Sequence, residues 1–317
     1  MATMREFTFP SSDGTHSVGA VWWLPDEGAP RAVVQLVHGI SEYIGRYAPF
    51  ARYLTDHGFA VVGHDHLGHG RTAKGREEYG WFAERDGWKY VLKDTHTLRQ
   101  LAGEAYPGLP YFILGHSMGS FVTRGYLMFY PGTVDGAILS GTGQESAATV
   151  AAGRVLSALL CRLRGSRASS RLLNALSVGA YNRQFSPNRT GADWICTDEA
   201  VVDAYVQDPL CRFLPTVGMY HDMMVGLQLL VKPEHLRRMD PDTPVYFFAG
   251  DKDPVGASGA GVRKVANLFR QYGVRDVTVT LYPGGRHEML NEPNKEQVFA
   301  DTLAWLEAHM PLSLIHI

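Results

Sequence analysis

Two rhythms of apolar and polar positions run along this chain. Short apolar runs, rich in β-branched and aromatic residues, occur at Glu6–Phe9, Val18–Leu24, Ala32–Val37, Ala60–Gly63, Tyr111–Leu114, Ala137–Leu139, Val245–Ala249 and Val277–Leu281. Most are bounded by Gly, Pro or Asp, as strands are. Between them, apolar residues recur every three or four positions over Tyr47–His57, Trp88–Ala105, Met118–Tyr130, Ala260–Tyr272 and Lys295–His309, the spacing of a helix with one buried face. In the third, Met118, Phe121, Val122, Gly125 and Phe129 form a stripe of small or apolar side chains. Two hairpin-like strands followed by strand–helix alternation predict an α/β fold, with a mostly parallel eight-stranded sheet covered by helices on both faces.

The alternation stops between Gln144 and about Pro244, where helical patterning dominates and no strand-like run appears. Sheet alternation resumes at Val245, so residues 144–244 read as a helical cap inserted into one core made of 1–143 and 245–311, rather than as a separate domain. The first half of this insertion, Ser146–Ala192, holds seven arginines and no Asp, Glu or Lys. Leu156, Leu159, Leu160 and Leu163, then Leu172, Leu173 and Leu176, recur at helical spacing among them. Two readings stay open: a cap helix packed on the protein with its arginines in water, or a surface resting on an anionic lipid interface, Leu inward and Arg at the headgroups. Residues 312–317, Leu-Ser-Leu-Ile-His-Ile, resemble a translated sequencing adaptor and read as a non-native tail.

Composition narrows the function classes. Of 317 residues, 45% are apolar and 20% charged, with a formal net charge of -2, so the chain is globular and has no global electrostatic case for nucleic acid. Cys161, Cys196 and Cys211 cannot all pair within one chain and show no CxxC spacing, which disfavours a disulfide framework and structural zinc. Neither a secretory leader nor an apolar run of membrane-spanning length is visible, and a cytoplasmic protein is expected.

Candidate chemistry lies at Gly115-His116-Ser117-Met118-Gly119, a G-x-S-x-G pattern between the strand Tyr-Phe-Ile-Leu and the Met118 helix. A serine at such a turn is forced to positive φ, and its neighbours two residues away must lack bulk, which Gly115 and Gly119 do. A serine that merely caps the helix is the bland alternative. A hydroxyl needs a base to take its proton and an acid to orient that base. In this topology the acid follows a late strand and the base follows the last one. Asp253, with Asp251 beside it as a turn support, and His287 stand at those places. Oxyanion donors are expected from the backbone N–H groups of Met118 and Ile40, with Gly39 allowing close approach and His38 orienting the loop. The run His64-Asp65-His66-Leu67-Gly68-His69 is the competing metal signal, but it lacks the Asp-His pair of binuclear hydrolases and suits a hydrogen-bonded turn. Neither metal nor cofactor is expected.

His38-Gly-Ile-Ser-Glu-Tyr-Ile-Gly-Arg-Tyr47 is similar to the HGxxExxxRY segment of monoacylglycerol lipases and related lysophospholipases of the α/β-hydrolase superfamily. Gly63–Arg71 resembles their GxDxxGxGxS loop, with Arg71 and Thr72 at its end, and Gly115–Gly119, Gly250–Pro254 and Gly284–Glu288 resemble their nucleophile, acid and histidine loops. The resemblance implies an α/β-hydrolase fold with a lid over an apolar acyl tunnel, Ser117 as nucleophile, Asp253 as acid, His287 as base, and Ile40 and Met118 as oxyanion donors. It implies a lipid ester substrate, a monoacylglycerol or lysophospholipid, and leaves transient membrane contact through the cap open. A short-chain esterase or acyltransferase on the same triad, and a catalytically silent lipid-binding protein, are the alternatives.

Overall fold

A computed structural model describes residues 3–310; the tail 312–317 lies outside the described residues. Eight strands form one sheet: β1 (Thr3–Pro10), β2 (Ser17–Leu24), β3 (Ala32–Val37), β4 (Phe59–His64), β5 (Tyr111–His116), β6 (Gly136–Ser140), β7 (Val245–Gly250) and β8 (Val277–Tyr282). Their spatial order is β1-β2-β4-β3-β5-β6-β7-β8. The β1/β2 and β2/β4 pairs are antiparallel, and every pair from β4/β3 to β7/β8 is parallel. Strands β3 to β7 are buried at every residue, which is why they appear in the sequence as unbroken apolar runs rather than as alternation.

The helices are α1 (Ala48–Asp56), α2 (Gly87–Ala105), α3 (Met118–Phe129), α4 (Ala147–Arg164), α5 (Arg171–Leu176), α6 (Glu199–Gln207), α7 (Val217–Leu229), α8 (Pro233–Leu236), α9 (Ala260–Gln271) and α10 (Lys295–Ala308). Side chains alternate across each strand, so Val33 and Val37 join one core with α2, α3, α7 and α9, while Val34 and Leu36 join a second with α1 and α10. Each large aliphatic or aromatic side chain so buried contributes about 1.5–3 kcal/mol. The result is three layers, with the ends of β3, β5, β7 and β8 opening on the same edge of the sheet.

Residues 144–244 connect β6 to β7 and contain α4 to α8 together with a 3₁₀ segment, Val178–Phe185. Helix α4 starts where the Ser146 hydroxyl accepts from the Thr149 N–H (3.0 Å) and ends at Gly165, whose φ of 87° suits glycine. One isolated bridge, Ser169 to Thr216, is the extended pairing found in this segment. Its leucines fall into two sets. Leu156, Leu160 and Leu173 pack inward with Val217 and Tyr220, whereas Val155, Leu159, Leu163, Leu172 and Leu176 stand 51–70% exposed.

Candidate active site

Ser117 sits on the turn between β5 and α3 at φ 54° and ψ −121°, a conformation that costs a non-glycine residue about 1–3 kcal/mol. The turn is held because the Ser117 N–H donates to Ser140 O (2.9 Å) and Ser117 O accepts from the Ser120 N–H and hydroxyl. It also demands small neighbours. A methyl group on Gly119 would overlap Val37 O and lie 2.6 Å from His38 O, and one on Gly115 would overlap Gly119 O and the Thr123 hydroxyl.

His287 follows β8, and its Nδ1–H donates to Asp253 Oδ1 at 2.9 Å. The same carboxylate oxygen accepts from the Val255 N–H, while Asp253 Oδ2 and His287 Nε2 are buried without a partner among the described residues. Ser117 and His287 line one small cavity of about 30 Å³, together with Ile40, Val178, Trp194, Ile195 and Tyr205. Gly141, at φ 59°, lets the backbone lie against the imidazole, and Trp194 and His116 pack on the ring at 4.8 and 4.7 Å between centroids. Burial opposes a charge on His287, but the Asp253 carboxylate outweighs it, so the imidazole is more basic than an ordinary one. Asp251 accepts from the Gly284 N–H (2.8 Å) and ties the acid loop to the histidine loop.

The Ile40 N–H makes no hydrogen bond among the described residues, and Met118 is the first residue of α3, whose N–H has no intrahelical partner. A methyl group on Gly39 would come 3.0 Å from Ser117 Cβ, so this loop closes directly over the serine. The histidine-rich run supports it. His38 Nδ1–H donates to Gly39 O (2.8 Å), His38 Nε2 accepts from the His66 N–H (3.0 Å), and His69 Nε2 accepts from the Ser41 N–H (3.3 Å). Burial pushes all of these imidazoles down, His69 to about 4 and His64 to about 3, so they are neutral and each of the three bonded rings can both donate and accept. Asp65 accepts from the Ile44 and Arg71 N–H groups, closing the same loop.

Three charged residues went unassigned in the sequence reading. Arg46 binds Glu288 through two bonds of 2.7 Å and Glu42 at 3.0 Å; Glu42 also accepts from the Gly39 N–H (2.5 Å) and the Tyr47 hydroxyl (2.9 Å). This buried clamp links the Gly39–Glu42 loop to the residue after His287. Burial would raise Glu288, but Arg46 draws it down to about 2, whereas burial prevails at Glu42 and keeps it above the usual carboxylate range. The spacing Glu42-x-x-x-Arg46-Tyr47, and a carboxylate next to the candidate base, were the available signals.

A strained serine, a basic imidazole fixed by a carboxylate, and two free amides are the parts that acyl transfer requires. Residues 28–294 match a protein family described as Serine aminopeptidase, S33. A monoacylglycerol lipase of Mycolicibacterium smegmatis is 31% identical over 98% of this chain and 99% of its own length. A thermostable carboxyl esterase from Bacillus coagulans, solved with glycerol, superposes with a TM-score of 0.89 at 32% identity, covering 97% of this chain and 99% of that one. A lipase solved in its open form gives 0.85 at 27% identity, with the same coverage.

Proposed function

Because the chain belongs to the Serine aminopeptidase S33 family, we propose that its lipid-ester hydrolysis runs through an acyl-enzyme on Ser117, with His287 as base and Asp253 as its orienting acid. The protein is a carboxylic ester hydrolase whose substrate is a lipid ester. The observation that supports the triad is the His287–Asp253 bond, which leaves Nε2 as the free end of the imidazole in the cavity that also holds Ser117. His287 Nε2 takes the hydroxyl proton as Ser117 Oγ attacks the ester carbonyl, and the amides of Ile40 and Met118 hold the oxyanion. His287 then protonates the departing alcohol, and water repeats the sequence on the acyl-enzyme. The substrate we favour is a monoacylglycerol, with lysophospholipids next.

Peptide cleavage from a free amino terminus would need an unpaired carboxylate for the α-ammonium group. The two acids lining the cavity, Glu42 and Glu288, are both engaged by Arg46, and the rest of the wall is largely apolar. This favours an ester with an acyl chain.

Residues 144–244 act as a cap in this proposal. A cavity of about 30 Å³ leaves little room for a long acyl chain, so entry of substrate in this proposal involves movement of the cap. The exposed Val155, Leu159, Leu163, Leu172 and Leu176, flanked by exposed Arg162, Arg164 and Arg171, form the surface that meets a lipid interface during that opening. Among the described residues no helix is long and apolar enough to cross a membrane.

A fluorophosphonate probe should label the native protein, and Ser117→Ala should abolish labelling with an unchanged circular dichroism spectrum. Persistent labelling of that variant removes Ser117 from the chemistry. A hydrolysis panel of monoacylglycerols, lysophospholipids and short-chain esters should rank the first highest; equal or faster turnover of short-chain esters would displace the lipid reading.

A further inference from the structure

A second cavity lies away from Ser117, against helix-packed surface. A groove of about 830 Å³ runs between α2 and α7, within the range of about 300–1,000 Å³ typical of small-molecule sites. It shares no lining residue with the Ser117 cavity. Its floor includes Phe129, the last residue of α3, which lies twelve residues and so about 18 Å along that helix from Ser117.

The groove is built as an amphipathic slot. Helix α7 turns Val225 and Leu229 into it, α2 contributes Trp88 and Leu92, and the end of α4 closes the top through Cys161 and Gly165. The Trp88 indole lies against Gly226, where any larger residue would displace it, and its Nε1–H is buried without a partner among the described residues. Charge is separated along the rim. Glu84, Asp86 and Asp222 gather, with Arg85 among them, at the N-terminal end of α2, where Asp222 accepts from the Gly87 and Trp88 N–H groups. Lys89 and Lys93 follow one and two turns later, exposed, four residues apart on one face, and in no ion pair among the described residues. A slot with an apolar floor and two free ammonium groups at one margin is complementary to an anion that carries a hydrocarbon tail.

We propose that this groove is a second ligand site for a long-chain carboxylate, whose tail lies along Trp88, Leu92, Val225 and Leu229 and whose head group pairs with Lys89 and Lys93. Such an anion is what hydrolysis of an acyl ester releases, and that link to the enzyme's own product rests on the function proposed above. Binding itself does not.

The test is photo-crosslinking of the full-length protein with a diazirine-bearing palmitate, followed by peptide mapping. Adducts are expected within Gly87–Ala105 and Val217–Leu229. Palmitate should compete for them, and hexadecan-1-ol should compete at least tenfold less well. The exposed double variant Lys89→Glu/Lys93→Glu should lose about tenfold in adduct yield at a fixed probe concentration, and Val225→Trp, which fills the slot, should lose the adducts altogether. Adducts confined to the Ser117 cavity, equal competition by the alcohol, or an unaltered yield in the lysine variant would each overturn the proposal. Crosslinking that fails while ester hydrolysis persists defeats this site alone; crosslinking at α2 and α7 without ester hydrolysis defeats the functional reading instead.

Discussion

Helix α3 is buried along nearly its whole length beside a strand, β5, that is buried at every residue, whereas α4 and α5 leave five large aliphatic side chains in solvent. The sheet has two large continuous cores, and the inserted segment has two small ones, around Trp194 and Ile195 and around Leu173 and Tyr220. The residues of the proposed triad, Ser117, Asp253 and His287, all sit on turns at strand ends, where packing fixes backbone positions closely. The insertion contributes Val178, Trp194, Ile195 and Tyr205, which line the cavity but offer no nucleophile or base. In the proposed mechanism, then, chemistry falls to the densely packed sheet edge and substrate contact to the less buried insertion. A strained φ at Ser117 persists because its surroundings over-determine it, and an acyl chain can be admitted only where packing is loose enough to open.

The largest effect expected is on rate, and it belongs to the sheet. Asp253→Asn should lower kcat/KM by about 10⁴-fold, because the imidazole loses both its tautomer and the charge that stabilises its protonated form. The pH profile gives the sharper test. His287 must be neutral to accept the serine proton, so the rate falls as pH drops through its pKa. In the native protein that pKa is raised above the ordinary value of 6.5, mainly because Asp253 overcomes burial, so the acid limb should lie above pH 6.5. In the variant the limb should move to lower pH. An unmoved limb would mean that another group governs it.

Two glycines sharpen the contrast in packing. Gly119→Ala places a methyl group against the Val37 and His38 carbonyls, backbone atoms that cannot swing aside, and should destabilise by more than about 4 kcal/mol. Gly153→Ala, inside α4, meets only the flexible Met224 side chain, its sulfur at 2.9 Å, and alanine favours the helix by up to about 1 kcal/mol. Thermal unfolding of the pair should separate them widely. Similar melting temperatures would remove the distinction between a tight sheet edge and a tolerant insertion.

The same contrast explains what could be read from the sequence. All eight strands were legible to within three residues; β3 to β7 stood out most clearly, since strands covered on both faces must be apolar throughout. The five helices that flank them were legible because apolar or small residues recur along each at helical spacing, even in α3, which is buried nearly all round. The Ser117, Asp253 and His287 positions followed from topology, which the strand pattern supplies. Helix α7, Val-Gly-Met-Tyr-His-Asp-Met-Met-Val-Gly-Leu-Gln-Leu, could not be placed, because contact with α2, α3 and α4 leaves it apolar on several sides and erases the period. The Arg46 clamp was hidden for another reason: Arg46 and Glu288 lie 242 positions apart, and only the folded chain brings them together.

That clamp is where the regions meet, since the Tyr205 ring of the insertion lies 5.0 Å from the Arg46 guanidinium. Arg46→Ala should cost about 3–5 kcal/mol, because it leaves Glu42 and Glu288 buried without their cation. If the clamp positions the oxyanion loop through the Glu42–Gly39 bond, kcat should fall while KM for a small soluble ester changes little. Arg46→Lys should restore stability more than it restores kcat, because one ammonium group cannot reproduce the paired bonds to Glu288. Parallel recovery of both would reduce the clamp to a purely structural role.

The smallest effect on stability should come from the insertion's outer face. Leu159→Gln/Leu163→Gln/Leu172→Gln changes side chains that are already more than half exposed, so folding should shift by no more than about 0.5 kcal/mol per site. Turnover of a monomeric, water-soluble ester should stay within twofold of native, because none of the three lines the Ser117 cavity. Activity on an aggregated long-chain monoacylglycerol, and cosedimentation with anionic vesicles, should both fall several-fold, since each leucine removed withdraws apolar area from the lipid boundary. Loss of soluble-ester activity as well would show that the outer face communicates with the triad, and the assignment of chemistry to the sheet and interface to the insertion would then have to be redrawn.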